Sequence, residues 1–190
     1  MKSYEKHNED KQIQTVLDEY NMIYTQTITV DELLLYMISV KEIHNVIEIL
    51  IKRKIGINYK NIFKTSPLLA AIENTTDKKQ IEIYYIKITK LLIDNGVDIN
   101  TQNRKGTTPL LLSMRINSRK IFNYLLRQDD IDLNILDYRK NDIFDYLLNP
   151  QKNNAVFNLF AYKYFSIIKH NYPEKYKKYL RNKNAQKFNL

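Results

Sequence analysis

Three histidines are the first candidates for acid–base or metal chemistry, and the chain scatters them: His7, His44 and His170. His44 and Glu48 stand four apart, a spacing that puts both on one helix face as a metal edge or as a plain surface pair, but no third ligand stands at metal spacing. Asp129, Asp130 and Asp132 form an acidic cluster. A calcium loop needs an interleaved glycine and a closing glutamate, so the cluster reads as a solvated turn ending a helix. Ser113 lies among leucines, without the flanking glycines of a nucleophile elbow. There is no cysteine, which excludes disulfides, thiolate catalysis and cysteine-ligated zinc. The three glycines, Gly56, Gly96 and Gly106, all fall at turns, and none is left to cradle a phosphate. The sequence therefore argues against an enzyme, and no cofactor or metal is expected.

What remains is recognition, and charge is the first guide. The net charge is +9, of which residues 161–190 supply +7 and residues 1–20 take away 2. In the C-terminal tail lysine alternates with tyrosine, as in Lys175-Tyr176-Lys177-Lys178-Tyr179. Such a pattern can neutralise phosphates and stack bases. The same residues also read as a capping helix with a solvated basic face, or as a secretion or membrane-surface signal. No apolar run approaches the ~20 residues needed to span a bilayer. Met1-Lys2-Ser3-Tyr4-Glu5-Lys6 leads into charge, so no Sec signal peptide is expected, and the protein reads as cytoplasmic, in its producer or in a host cell.

The elements that would position a recognition surface are legible as joints. In Asn103-Arg104-Lys105-Gly106-Thr107-Thr108-Pro109-Leu110-Leu111 a glycine supplies a tight turn, Thr108 stands as an N-cap and Pro109 opens a helix. Upstream, Leu91-Leu92-Ile93-Asp94-Asn95-Gly96 ends a helix on glycine, and Val97-Asp98-Ile99-Asn100 extends from it. Asn100 to Thr108 is eight residues, and the same eight separates Asn58 from Ser66 and Asn134 from Asp142. A matching helix end precedes each asparagine, so the chain repeats one unit: helix, short extension, turn, capped helix.

These residues resemble the ankyrin-repeat family, whose unit of roughly 33 residues opens its first helix with Thr-Pro-Leu-His-x-Ala. The matches are Ser66-Pro67-Leu68-Leu69-Ala70-Ala71, Gly106-Thr107-Thr108-Pro109-Leu110-Leu111 and Leu91 to Asn100, strongest over about residues 58–135. Leu69, Leu111 and Asp145 replace the motif histidine, Lys64 and Lys140 replace the turn glycine, and Asp142-Ile143 replaces Thr-Pro. Ser66 to Thr108 is 42 residues, and the surplus falls in Glu73 to Gln80 as an enlarged loop, with room to lengthen the following helix. The expected architecture is an all-α solenoid of about four stacked helix-turn-helix repeats with helical caps. Its parts are an N-terminal capping helix (1–26), a degenerate first repeat (27–60), a second repeat (61–102), a third (103–136), a degenerate fourth with cap (137–169) and the basic tail (170–190). In finer detail, helices are expected from Glu9-Asp10 to Tyr24 with Ile13, Val16, Leu17 and Tyr20 inward, from Thr29 or Asp31, from Val40 to Ile51, from Asn153 to Lys169 and from Pro173 to Arg181. Leu68, Ala71, Ile72, Leu91, Leu92, Leu110, Leu112, Leu125 and Leu126 are expected inside.

The resemblance implies a concave strip of turn tips and first-helix faces that binds a partner protein. Carried onto this chain, the tips are Ile62, Phe63 and Thr65, then Arg104, Lys105 and Thr107, then Tyr138, Arg139 and Asn141, with Glu73 and Arg115 on first helices facing the same strip. Phe63 and Tyr138 matter most, because an aromatic on an exposed turn has no core to fill and tyrosine and arginine are enriched at binding hot spots; the other reading folds Phe63 back onto its own unit. Arg104, Lys105, Arg115, Arg139 and Lys140 would make the strip positive and its partner acidic. The expectation is a monomeric protein-interaction module, an adaptor or pathogen effector; the competing class is nucleic-acid or acidic-membrane binding through the tail.

Overall fold

The structure is a computed structural model that describes residues 2–24, 27–40, 45–75, 79–148 and 164–188. Ten helices run through these residues, and no strand occurs among them. α1 (Lys2–Tyr24) turns Ile13, Val16 and Tyr20 inward at helical spacing, with Leu17 half-buried, and packs on α2 and α3 as the N-terminal cap. It begins well before the expected Glu9.

α2 (Val30–Ser39) starts at Thr29, whose backbone N–H donates to the Glu32 carboxylate at 2.8 Å, one half of a capping box. Its partner α3 is Asn45–Lys52. Val40 caps the end of α2 rather than opening α3, and His44 lies outside the described residues, as do residues 41–43.

Proline at the first position and a hydroxyl cap define the next two starts. α4 (Pro67–Glu73) has Ser66 Oγ accepting from Leu69 N–H, and α6 (Pro109–Arg115) has Thr108 Oγ1 accepting from Leu111 N–H at 3.2 Å. Their partners are α5 (Lys79–Asp94) and α7 (Arg119–Leu126). With 16 residues against 8 in α7, α5 takes up part of the surplus in the second unit as extra helix. α8 (Ile143–Leu148) opens the fourth unit with reciprocal caps: Asp145 N–H donates to Asp142 Oδ1 at 2.9 Å and Asp142 N–H to Asp145 Oδ2 at 3.1 Å. Asp142 thus stands in for the capping threonine and Asp145 for the motif histidine, while Ile143 takes the proline's place.

α2, α4 and α6 stack as one layer, and α3, α5 and α7 as the other. Every expected core residue is buried except Leu91, which is half-buried. Ser113 is wholly buried and donates to Leu110 O at 2.8 Å, a satisfied core hydroxyl.

The far end is closed by α9 (residues 164–171) and α10 (Pro173–Phe188). Most of the expected Asn153–Lys169 helix lies outside the described residues. α10 runs past the expected Arg181, and its first turns are anchored: Tyr179 is 4% exposed and stacks on Phe144 with ring centroids 3.8 Å apart, and Tyr176 packs on Phe144 and Phe165. Lys175 Nζ donates to Gln128 O at 2.5 Å, and burial lowers its pKa. No described helix is long and apolar enough to cross a membrane.

Candidate protein-binding surface

One side-chain device, repeated three times, shapes the turn tips. Asn61 Oδ1 accepts the amides of Phe63 and Thr65, Asn103 Oδ1 those of Lys105 and Thr107, and Asp137 Oδ1 those of Arg139 and Asn141, all within 3.1 Å. This clamp forces the fourth residue of each tip to positive φ: Lys64 at 56°, Gly106 at 71° and Lys140 at 63°. The glycine substitutions noted in the sequence are thus two lysines held in a conformation glycine adopts at less cost.

The tips are also joined to one another. Arg104 N–H donates to Phe63 O at 3.1 Å, and Tyr138 N–H donates to Lys105 O at 3.1 Å, in the same register. Behind them the marker asparagines do the same work: Asn58 Oδ1 accepts from Asp98 N–H at 2.8 Å, and Asn100 Oδ1 from Asp132 N–H at 2.9 Å, while Asn100 Nδ2 donates to Asp130 O at 2.8 Å. The acidic cluster is therefore a structural turn tied to the preceding unit. Asn61, Asn103 and Asp137 were missed as functional scaffolding, although each stands three residues beyond its marker asparagine.

On this scaffold the candidate residues divide. Ile62 is 74% exposed, Phe63 57% and Tyr138 60%, so Phe63 does not fold back into its own unit. Arg104, Lys105, Arg139, Glu73 and Arg115 are exposed as well. Thr107 and Asn141 are buried and Thr65 is half-buried, a correction to their placement on the accessible strip. Their position directly before the helix cap turns the side chain under the tip while its amide is held by the Asn or Asp clamp.

Each exposed ring carries a guanidinium. Arg104 Cζ lies 5.6 Å from the Phe63 ring centre across the joint between units, and Arg139 Cζ lies 5.2 Å from that of Tyr138. Arg139 Nε also donates to Tyr138 Oη at 2.6 Å, which raises the arginine pKa further. Bonding of this kind spreads two arginine–aromatic pairs along one edge and holds long side chains that would otherwise lose rotamer freedom on binding.

Comparison with known proteins gives three findings. A family model described as ankyrin repeats, in three copies, matches residues 34–137. The chain is 37% identical over 75 residues to the I-Kappa-B like protein G2 of Microplitis demolitor bracovirus, across 37% of this chain and 45% of that protein. It is 33% identical over 79 residues to an ankyrin repeat protein of Rickettsia bellii, across 42% of each, and 32% identical over 73 residues to alpha-latrotoxin-Lg1a of Latrodectus geometricus, across 38% of this chain and 5% of the toxin. The chain thus spans less than half the length of these relatives.

Proposed function

The chain belongs to the ankyrin-repeat family, whose repeats generally mediate binding between proteins, and we propose that it is a non-catalytic module that captures an acidic partner protein on its turn-tip and inner-helix strip. The observation that carries this reading is the pair of exposed arginine–aromatic stacks, Arg104 on Phe63 and Arg139 on Tyr138, presented on tips locked to each other through their backbones. Aromatic and arginine side chains are the types that dominate binding energy, and pre-ordering them lowers what association costs. Lys64, Lys105, Lys140 and Arg115 surround them with positive charge against Glu73, the one acid among the candidate strip residues, which favours an acidic surface and fast, salt-sensitive association. We read the module further as a monomeric adaptor or pathogen effector working in the cytoplasm of its producer or of a host cell; a bracovirus and a Rickettsia are among the sources of its relatives.

The tail reading gains less support. Tyr179 and Tyr176 are packed against Phe144, so α10 offers a nucleic acid charge without the stacking surface that made the tail attractive. The test is capture of partners on immobilised full chain, comparing wild type with Phe63→Ala/Arg104→Glu. Both positions are exposed, so helicity should be unchanged while captured proteins disappear. Undiminished capture by the variant would place the interface elsewhere.

A further inference from the structure

We propose that the protein holds a second docking site, a hollow of about 700 Å³ beneath the tips that takes an extended acidic segment of the partner. This rests on the reading of the chain as a protein-binding module, and it extends the strip beneath the tips, sharing Lys64, Arg104 and Tyr138 with it and adding Lys60, Gln102 and Leu136. The hollow lies against the segments that lead into the tips. Asn100, Thr101 and Gln102 of the second unit form its floor, Lys60 comes from the end of the first unit, Lys64 from the second, Arg104 and Leu136 from the third, and Tyr138 from the fourth.

Three observations point to an acidic peptide. The first is unbalanced charge. Of the two carboxylates that line the hollow, Asp137 is consumed by the amides of Arg139 and Asn141 on one oxygen and by the Tyr146 hydroxyl on the other. Asp98 accepts from Asn100 N–H and stands 4.0 Å from Lys60. Lys64 and Arg104 pair with no carboxylate among the described residues, so two cations face the hollow uncompensated.

The second observation concerns the floor, which is fixed before any segment arrives. Thr101 is 2% exposed with its Oγ1 closed off from solvent, so it serves as packed backing and not as a donor to a ligand. Beside it the Gln102 carboxamide is pinned by its Nε2, which donates to Gly106 O at 2.8 Å and Leu136 O at 2.9 Å and so ties the end of the second unit to both ends of the third at the base of the hollow.

The third is an apolar wall. Leu136 is 47% exposed and Tyr138 60%, and both line the hollow together with the cations. A segment with carboxylates next to one aliphatic side chain matches both features. A nucleic acid would meet the cations but leave Leu136 without a partner.

The experiment titrates the full chain with a fluorescent heptapeptide of glutamates around a central leucine, using the lysine counterpart as control, and reads anisotropy at low salt. The wild type should bind the acidic peptide alone. Lys60→Glu/Lys64→Glu should weaken it about tenfold or more, as expected for reversing charges at an electrostatically complementary site. Leu136→Ser should weaken it severalfold, and Lys105→Glu/Arg115→Glu, on the strip and outside the hollow's lining, should leave it within about twofold. No binding, equal loss in the strip variant, or a single-stranded oligonucleotide that binds and is lost with Lys60→Glu/Lys64→Glu would each overturn the hollow. Partner capture separates the two proposals: a hollow variant that captures normally while the strip variant fails overturns this site alone, whereas normal capture by both overturns the module reading itself.

Discussion

Replacing Gly106 with alanine tests how closely the tips are stacked. A Cβ on Gly106 would meet Asp137 Cα at 2.6 Å, Tyr138 N at 2.8 Å and Asp137 C at 2.9 Å, all backbone of the next tip, which cannot swing aside. The residue also sits at φ 71°, where a side chain costs about 1 kcal/mol or slightly more. Forcing a methyl into a packed contact adds about 2 kcal/mol, so the total is about 3 kcal/mol. For a chain of this size, each kcal/mol lowers Tm by about 3 °C, giving a fall of about 9 °C by far-ultraviolet circular dichroism. Gly96 is the control: at φ 83° it pays the same backbone strain, but its nearest neighbour is the end of Lys54, 3.9 Å away. Gly96→Ala should therefore lower Tm by only about 3 °C. Because the clash falls between the third and fourth tips, hydrogen exchange should quicken first in residues 138–148, beyond the joint. Equal losses in the two variants, or exchange that quickens uniformly, would refute the close-approach argument and leave only backbone strain.

Three further outcomes are expected. Asn100→Ala removes one acceptor and one donor that reach the next unit and should cost about 2 kcal/mol in urea unfolding, with fraying at residues 129–134. Tyr179→Ala strips the ring that stacks on Phe144 and should cost about 3 kcal/mol and expose the fourth unit to proteolysis. For pH, the Thr29 amide and then the Tyr59 hydroxyl hold the Glu32 carboxyl below its ordinary 4.5. A depressed folded value means this stability is present above about pH 4.5 and is lost as pH falls through the folded value, so Glu32→Gln should flatten the acid limb of the stability profile. The Asp94 carboxylate, more than burial, pushes Tyr124 from 10.0 to about 12. A raised folded value means stability intact below pH 10.0 and lost as pH climbs toward 12, so Tyr124→Phe should flatten the alkaline limb.

The joints were readable because their chemistry is local. Ser66-Pro67 and Thr108-Pro109 carry their own cap, and eight residues from an asparagine to a helix start leave room for one extension and one turn. The asparagine served as a counting mark; the structure shows that Asn58 and Asn100 recur because each bonds the backbone of the following unit. The tip candidates were partly legible. Ile62, Phe63, Arg104, Lys105, Tyr138 and Arg139 stand exposed as their place on a turn implies, whereas Thr107 and Asn141 do not, since which turn residue folds under depends on the Asn103 and Asp137 clamps. The tail was the least legible. Lysine alternating with tyrosine describes both a base-stacking surface and an amphipathic cap, and only the position of Phe144, some thirty residues earlier in the chain, decides where Tyr176 and Tyr179 go.

The bonds that tie one tip or extension to the next reach only the neighbouring unit: Phe63 to Arg104, Lys105 to Tyr138, Asn58 to Asp98, Asn100 to Asp132. Residues 103–136 therefore behave as a cassette, with an amide offered upstream at Arg104 and a carbonyl offered downstream at Lys105. An in-frame duplicate of that stretch would find its amide met by the first copy's Lys105 and would offer its own carbonyl to Tyr138. The row of tips can thus be lengthened by one through copying alone, so the span of the surface proposed to hold a partner is a property that gene duplication can change without altering a single side chain.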